Sequence, residues 1–298
     1  MLKTNEKKLV EMSVIGQVSS PKFPTNSPYR ITSEGKPVVL PGVGGITYNV
    51  RVGDPACGWV GDHVEPCVSA RNPDDLENGG FNVLSQAGNS AKVLDGEAKG
   101  ATGVVTGKHG GIENVLIDFA QKDIEKMKIN DKILVKGFGL GLKLLDFPDI
   151  AVMNIDPSLL KKLPISKTKN TGLKIPVTHK VPAKIMGSGL GAQNSQRGDY
   201  DIQLFDEETV KEFSLDTLRF GDIVAIIDAD HTYGRIYKTG AVSICVIVHS
   251  DCVISGHGPG AMTIFTSSKG LIEPVINKNA NIGHYLKIGR WRGKGRKK

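Results

Sequence analysis

The sequence has no apolar run long enough to cross a membrane, and Met1-Leu-Lys-Thr-Asn-Glu-Lys-Lys has no apolar signal core. Cysteine is scarce, at four in 298 residues (Cys57, Cys67, Cys245, Cys252), which excludes a disulfide framework. Together these absences predict a soluble, cytoplasmic chain with reduced thiols and no membrane partner. Aromatic residues make up only 6% while glycine reaches 36 residues, a balance that favours tight turns and short strands over long helices. Positive charge is also scarcer than the net +7 suggests. Lys287, Arg290, Arg292, Lys294, Arg296, Lys297 and Lys298 supply that excess, so the rest is close to neutral. This excludes a basic body and leaves a basic arm. Compact catalytic signatures are missing as well: there is no His-Glu-x-x-His and no P-loop.

What is present reads mainly as strand. Ile223-Val-Ala-Ile-Ile227 and Ala241-Val-Ser-Ile-Cys-Val-Ile-Val248 are β-branched runs that suit strands buried on both faces, and Met262-Thr-Ile-Phe-Thr is a third. Val14-Ile-Gly-Gln-Val, Ile46 to Val52 and Ile133-Leu-Val-Lys read as further strands. Gly100 to Phe119 reads as a hairpin around a Gly-Lys-His-Gly-Gly turn. Residues 69–98, with Asn78-Gly-Gly, read as loop. Short helices are expected at residues 207–213, with Asp206 as N-cap, and for one turn at residues 123–127. Met127-Lys-Ile-Asn-Asp-Lys-Ile-Leu-Val echoes Leu218-Arg-Phe-Gly-Asp-Ile-Val-Ala-Ile, as if the same polar turn opened two strands. The expected fold is therefore α+β and β-rich: two packed parts with barrel-like or mixed sheets and few short helices. The prolines and basic residues between 154 and 176 set the boundary. This gives a glycine-rich, mainly β domain over 1–160, an α+β domain over 176–288 and a basic tail over 289–298.

Chemistry concentrates at the ends of the two buried runs. Asp228-Ala-Asp-His follows the first, and His249-Ser-Asp-Cys followed by Gly256-His-Gly-Pro-Gly follows the second. Titratable groups at strand tips are rigidly placed yet reach a cleft. Asp228, His231, His249, Asp251 and His257 are read as ligands of a divalent cation (zinc, manganese or iron), for which imidazole and carboxylate are suitable donors. Asp230, His249, Asp251 and His257 are read as the catalytic set, with Asp230 or Asp251 as base. Arg235, Lys108 and His109 are expected to hold an anionic part of the substrate. Cys252, activated by His249 or His257, is a competing nucleophile. Cys57, His63 and Cys67, with Asp62 or Glu65, form a second cluster able to bind an ion.

Gly103-Val-Val-Thr-Gly-Lys-His-Gly-Gly, Gly198-Asp-Tyr-Asp-Ile-Gln and the segment from Val248-His-Ser-Asp-Cys to Gly256-His-Gly-Pro-Gly resemble the DUF4438 family across nearly the whole chain. The resemblance implies a self-contained, prokaryotic-type soluble protein. It brings no catalytic residues with it, because the family's name records no activity. The residues thus point to a small-molecule enzyme, specifically a metal-assisted hydrolase of an amide or similar acyl substrate, with a homo-oligomer compatible. The alternative is a nucleic-acid or ribosome-associated protein using Gly289-Arg-Trp-Arg-Gly-Lys-Gly-Arg-Lys-Lys and the Lys108-His109 hairpin.

Overall fold

Alternating apolar residues give the first half six strands that close on themselves. In the computed structural model, which describes residues 2–23, 27–168, 172–187 and 194–293, these are Met12–Val18, Cys67–Arg71, Ser90–Val93, Thr102–His109, Asn114–Asp118 and Lys132–Gly137. All pair antiparallel, and Cys67–Arg71 returns to Met12–Val18 with Gln17 opposite Arg71 and Val18 opposite Ala70. Closure leaves no long free edge. Val18, Val68, Ala70, Val93, Val105, Ile117, Ile133 and Val135 fill the interior and are fully buried.

The helix Asp75–Leu84 packs against this barrel. Here the reading of residues 69–98 as loop is corrected. Asn78-Gly-Gly would weaken an isolated helix. The Asp74 carboxylate, however, accepts from the Leu76 and Glu77 amides, and Phe81 anchors the helix in the barrel core. Gly16 makes room for it, since a Cβ there would lie 2.6 Å from the Phe81 ring. Phe81→Ala is expected to lower stability by about 3–5 kcal/mol. An unchanged urea midpoint would contradict that anchoring role.

The second half builds a six-stranded sheet. Ile223–Asp230, Ile236–Ile247 and Gly260–Ser267 run antiparallel at its centre. Ala151–Val152 and Tyr200–Asp201 both pair with Gly260–Ser267, while His179–Pro182 lies parallel to Ile223–Asp230. A smaller sheet joins Ser166–Lys167, Leu173–Val177 and Ile272–Ile276. The barrel packs on the large sheet through one apolar cluster that includes Leu116, Ile244, Val246, Val248, Met262 and Ile264. The approach is close at Gly107, where a Cβ would lie 2.3 Å from Val248 Cγ1.

The sequence echo has a structural counterpart. In Lys128-Ile-Asn-Asp131 and Arg219-Phe-Gly-Asp222 the aspartate side chain accepts from the first residue's amide, at 2.9 and 3.0 Å, and its own amide returns to that residue's carbonyl. Arg51-Val-Gly-Asp54 makes the same turn, with the side-chain bond at 2.8 Å. The third residue has positive φ in all three, at 74°, 82° and 97°. Glycine or asparagine tolerates that conformation best. Of the strand expected over Ile46 to Val52 only Ile46–Thr47 forms, and Arg51 and Val52 belong to this turn.

The hairpin forms, but its turn lies two residues later than expected. Lys108 and His109 belong to the strand Thr102–His109 and are buried, with the register shifting between Val105 and Gly107. They are not an exposed basic tip. The helix Glu207–Phe213 forms with Asp206 accepting from the Thr209 amide, and the expected turn of helix spans Gln121–Ile124. No helix among the described residues is long and apolar enough to cross a membrane.

Candidate metal centre

Two segments, one from each half, join edge to edge. The Ser250 amide donates to the Val64 carbonyl at 3.0 Å, the Asp251 amide to the Ala56 carbonyl at 2.9 Å, and the His63 amide to the Asp251 carbonyl at 3.3 Å. His63, in the left-handed conformation at φ 55°, is thereby fixed opposite His249, just beyond the strand Ile236–Ile247. His109, the last residue of its barrel strand, stacks on His249 with ring centroids 4.1 Å apart. His63 lies 5.0 Å from His249 and 5.6 Å from His109 by the same measure. One ring nitrogen from each of the three falls within 4.8 Å of the others.

In each ring Nδ1 is engaged on the far side. His109 Nδ1 meets Glu65 Oε1 at 2.5 Å, His249 Nδ1 meets the Ser250 carbonyl at 2.9 Å, and His63 Nδ1 lies 3.4 Å from Asp62 Oδ2. A carboxylate or carbonyl on one ring nitrogen fixes the tautomer and leaves the other as a lone pair, the usual support of a metal-ligating histidine. Glu65 is wholly buried. It also accepts from the Gly44 amide, the Ser69 hydroxyl and the Asn114 side chain. Burial raises its carboxyl, but the His109 and Ser69 bonds and the Gly44 amide outweigh it and hold the group below the usual range.

Carboxylates face the imidazoles. Asp201 and its neighbour across one residue, Asp199, enter from Tyr200–Asp201, and the Gly110 amide fixes Asp199 Oδ1 at 2.6 Å. His249 Nε2 lies 2.8 Å from Asp199 Oδ2 and 3.4 Å from Asp201 Oδ1. Both His249 Nε2 and Asp199 Oδ2 are buried without a hydrogen-bond partner, so their contact is close but not aligned as a hydrogen bond. Gly260 keeps this space open, because a Cβ there would sit 1.9 Å from Asp199 Oδ2 and 2.3 Å from His249 Nε2. Burial lowers the His249 imidazole, but Asp199 and Asp201 overcome it and raise the group well above its ordinary value. Between that nitrogen and those oxygens the chain calls for positive charge, a proton or a metal ion. Burial depresses His63, helped by the neighbouring His249 and His109, which favours the neutral ring a metal requires.

Family models match almost the whole described chain: Domain of unknown function (DUF4438), N-terminal, over residues 29–161, and Domain of unknown function (DUF4438), C-terminal, over residues 162–286. The chain belongs to the DUF4438 family. The crystal structure of TM1086 is similar to it, with 48% sequence identity over 96% of this chain and 99% of that one, and a TM-score of 0.90. No curated protein matches.

In this DUF4438 protein three residues singled out from sequence, His249, His257 and His109, come together. His257 Nδ1 lies 3.0 Å from Asp201 Oδ2 and 3.2 Å from His63 Nε2. His109 was expected on substrate and instead joins the imidazole cluster. Asp251 stands apart from these donors: its side chain accepts from the Gly58 amide and its carbonyl holds His63. The chain leaves strand geometry after Ile247, so alternation does not put Asp251 beside His249. Asp228, at φ 62° in a bulge, accepts from the Gly240 amide, and Asp230 accepts from Thr232 and Thr266. Both shape the loop between Ile223–Asp230 and Ile236–Ile247, which also carries Arg235. Lys108 Nζ is buried and donates to Asn154 Oδ1 and the Gln196 carbonyl, both at 2.8 Å. Cys252 donates to Asp62 Oδ1 at 2.8 Å, and burial with that carboxylate pushes its thiol up, against a free nucleophile. Cys57 and Cys67 point elsewhere, to the Leu215 and Phe119 carbonyls.

Sequence reasoning set His63, Glu65, Asp199 and Asp201 outside the main site. Both pairs set titratable groups one residue apart, His63-x-Glu65 and Asp199-x-Asp201, but His63 has φ 55° and lies outside any strand, so alternation does not place the first pair.

His231, expected as a ligand, is buried against Tyr200 with Nδ1 at 2.8 Å from Thr263 Oγ1. Burial, helped by Arg235, pushes its imidazole down to about 3. The unfolded chain, with a histidine pKa of about 6.5, takes up this proton first. Stability is therefore lost as pH falls below that value, and the loss levels off near the folded value. Between pH 6.5 and 4.5 wild type is expected to lose about 2 kcal/mol more than His231→Gln. Equal losses in urea titrations would contradict the assignment.

Proposed function

We propose that this protein is a metal-dependent enzyme acting on a small molecule, and specifically a hydrolase. The observation that carries the reading is the trio His63, His109 and His249, each with Nδ1 beside a carboxylate or carbonyl oxygen and with one ring nitrogen from each within 4.8 Å of the others. Zinc, manganese and iron all accept such a nitrogen-rich set with carboxylates beside it. A divalent ion held there supplies an activated water and polarises a carbonyl. Asp199, fixed by Gly110 through one oxygen and unpartnered at the other, is placed to take the proton. His257, with its side chain 36% exposed, marks the side from which a substrate enters. An acyl or amide substrate fits this chemistry.

A nucleic-acid role has less behind it. Arg290 pairs with Asp54 and Arg292 with Asp118, and Trp291 packs on Gly53 and Gly283. These groups of the basic segment are therefore engaged, and residues 294–298 lie outside the described residues. The hydrolase reading is tested by reconstituting metal-stripped protein with zinc, manganese or iron against ester and amide panels, with His249→Ala as control. Metal-dependent turnover that falls more than about 100-fold in the variant is expected. Absence of turnover with every metal, while the ion is bound, contradicts the hydrolase.

A further inference from the structure

The donors are too many for one catalytic ion. Four imidazoles (His63, His109, His249, His257) and the Asp201 carboxylate converge here, with Asp199 beside them. A catalytic zinc takes about three protein ligands and keeps one position open. Among the donors here are three overlapping triads, each with its donor atoms within 4.8 Å of one another: His63 with His109 and His249, His249 with Asp199 and Asp201, and His63 with Cys252 and His257.

Asp201 stands between the groups. Its Oδ1 lies 3.4 Å from His249 Nε2, whereas its Oδ2 lies 3.0 Å from His257 Nδ1 and 3.9 Å from His63 Nε2. One carboxylate thus presents one oxygen to each set of imidazoles. Two buried atoms without a hydrogen-bond partner, His249 Nε2 and Asp199 Oδ2, point into the first set, and Asp62 Oδ2, paired with Arg30 at 3.2 Å, backs His63 in the second. We propose that the centre is dinuclear, with Asp201 bridging one divalent cation held by His109 and His249 and a second held by His63 and His257. Each ion then has three protein donors and open positions, the arrangement of paired-metal hydrolytic sites whose ions sit about 3.5–4 Å apart. This rests on the metal-centre reading above, and passes His63 from the first ion to the second.

The test is a titration of chelator-stripped full-length protein with manganese or zinc, comparing wild type with His257→Ala. His257 is the most exposed donor, so its replacement leaves the buried core intact. Wild type is expected to take up two equivalents and the variant one. With manganese, wild type is also expected to show the exchange-coupled electron spin resonance of a close pair, and the variant the spectrum of an isolated ion. A single equivalent in both proteins, with isolated-ion spectra, overturns the dinuclear centre and leaves a mononuclear one standing. No bound ion in either overturns both.

Discussion

His249→Ala is expected to lower the affinity of the first ion by more than the roughly 10–100-fold that follows loss of an orienting partner alone. The reason is positional. His249 is wholly buried, its Nδ1 is committed to the Ser250 carbonyl, and its Nε2 faces both Asp199 and Asp201. Removing the ring takes away a donor and leaves two buried carboxylates without the group between them. Calorimetric titration of the stripped variant checks this, with circular dichroism to confirm the fold. Affinity within threefold of wild type would show that the ring serves packing alone.

Glu65 carries the second large effect, by a different route. It touches no substrate, yet four groups converge on it from three parts of the chain: Gly44, Ser69, His109 and Asn114. Glu65→Ala strands those donors in a dry interior and is expected to cost about 3–5 kcal/mol of stability. Glu65→Gln keeps an oxygen and the shape, so it is expected to fold more nearly normally. It removes the charge that fixes the His109 tautomer, and metal affinity should then fall about 10–100-fold. Metal affinity equal to wild type in the glutamine variant would remove Glu65 from the supporting shell.

How far the sequence reveals this protein depends on how local the signal is. The runs through Ile223-Val-Ala-Ile-Ile227 and Ala241 to Val248 identify central strands, since β-branched residues buried on both faces have few other uses. The cap at Asp206 identifies its helix for an equally local reason. The helix Asp75–Leu84 was missed because its glycines argue against it locally, and its stability comes from a tertiary contact, Phe81 in the barrel. The site divides in the same way. His249 and His257 were legible as polar groups beyond a buried strand. Their partners His63, in the loop before Cys67–Arg71, and His109, on a barrel strand, lie about 140 to 190 residues away in the chain. The joining of residues 56–64 to 250–251 brings His63 to His249, and the close packing of Gly107 on Val248 brings His109. Asp228, Asp230 and His231 offered the same strand-end signal and are used instead to bond the loop and sheet around them.

Elemental analysis of the full-length protein, purified without an affinity tag and without chelator, tests the metal centre most directly. At least one transition-metal ion per chain is expected, and its loss in His249→Ala. Protein that holds no ion as isolated, and takes up none from zinc, manganese or iron, would contradict a metal centre at these histidines.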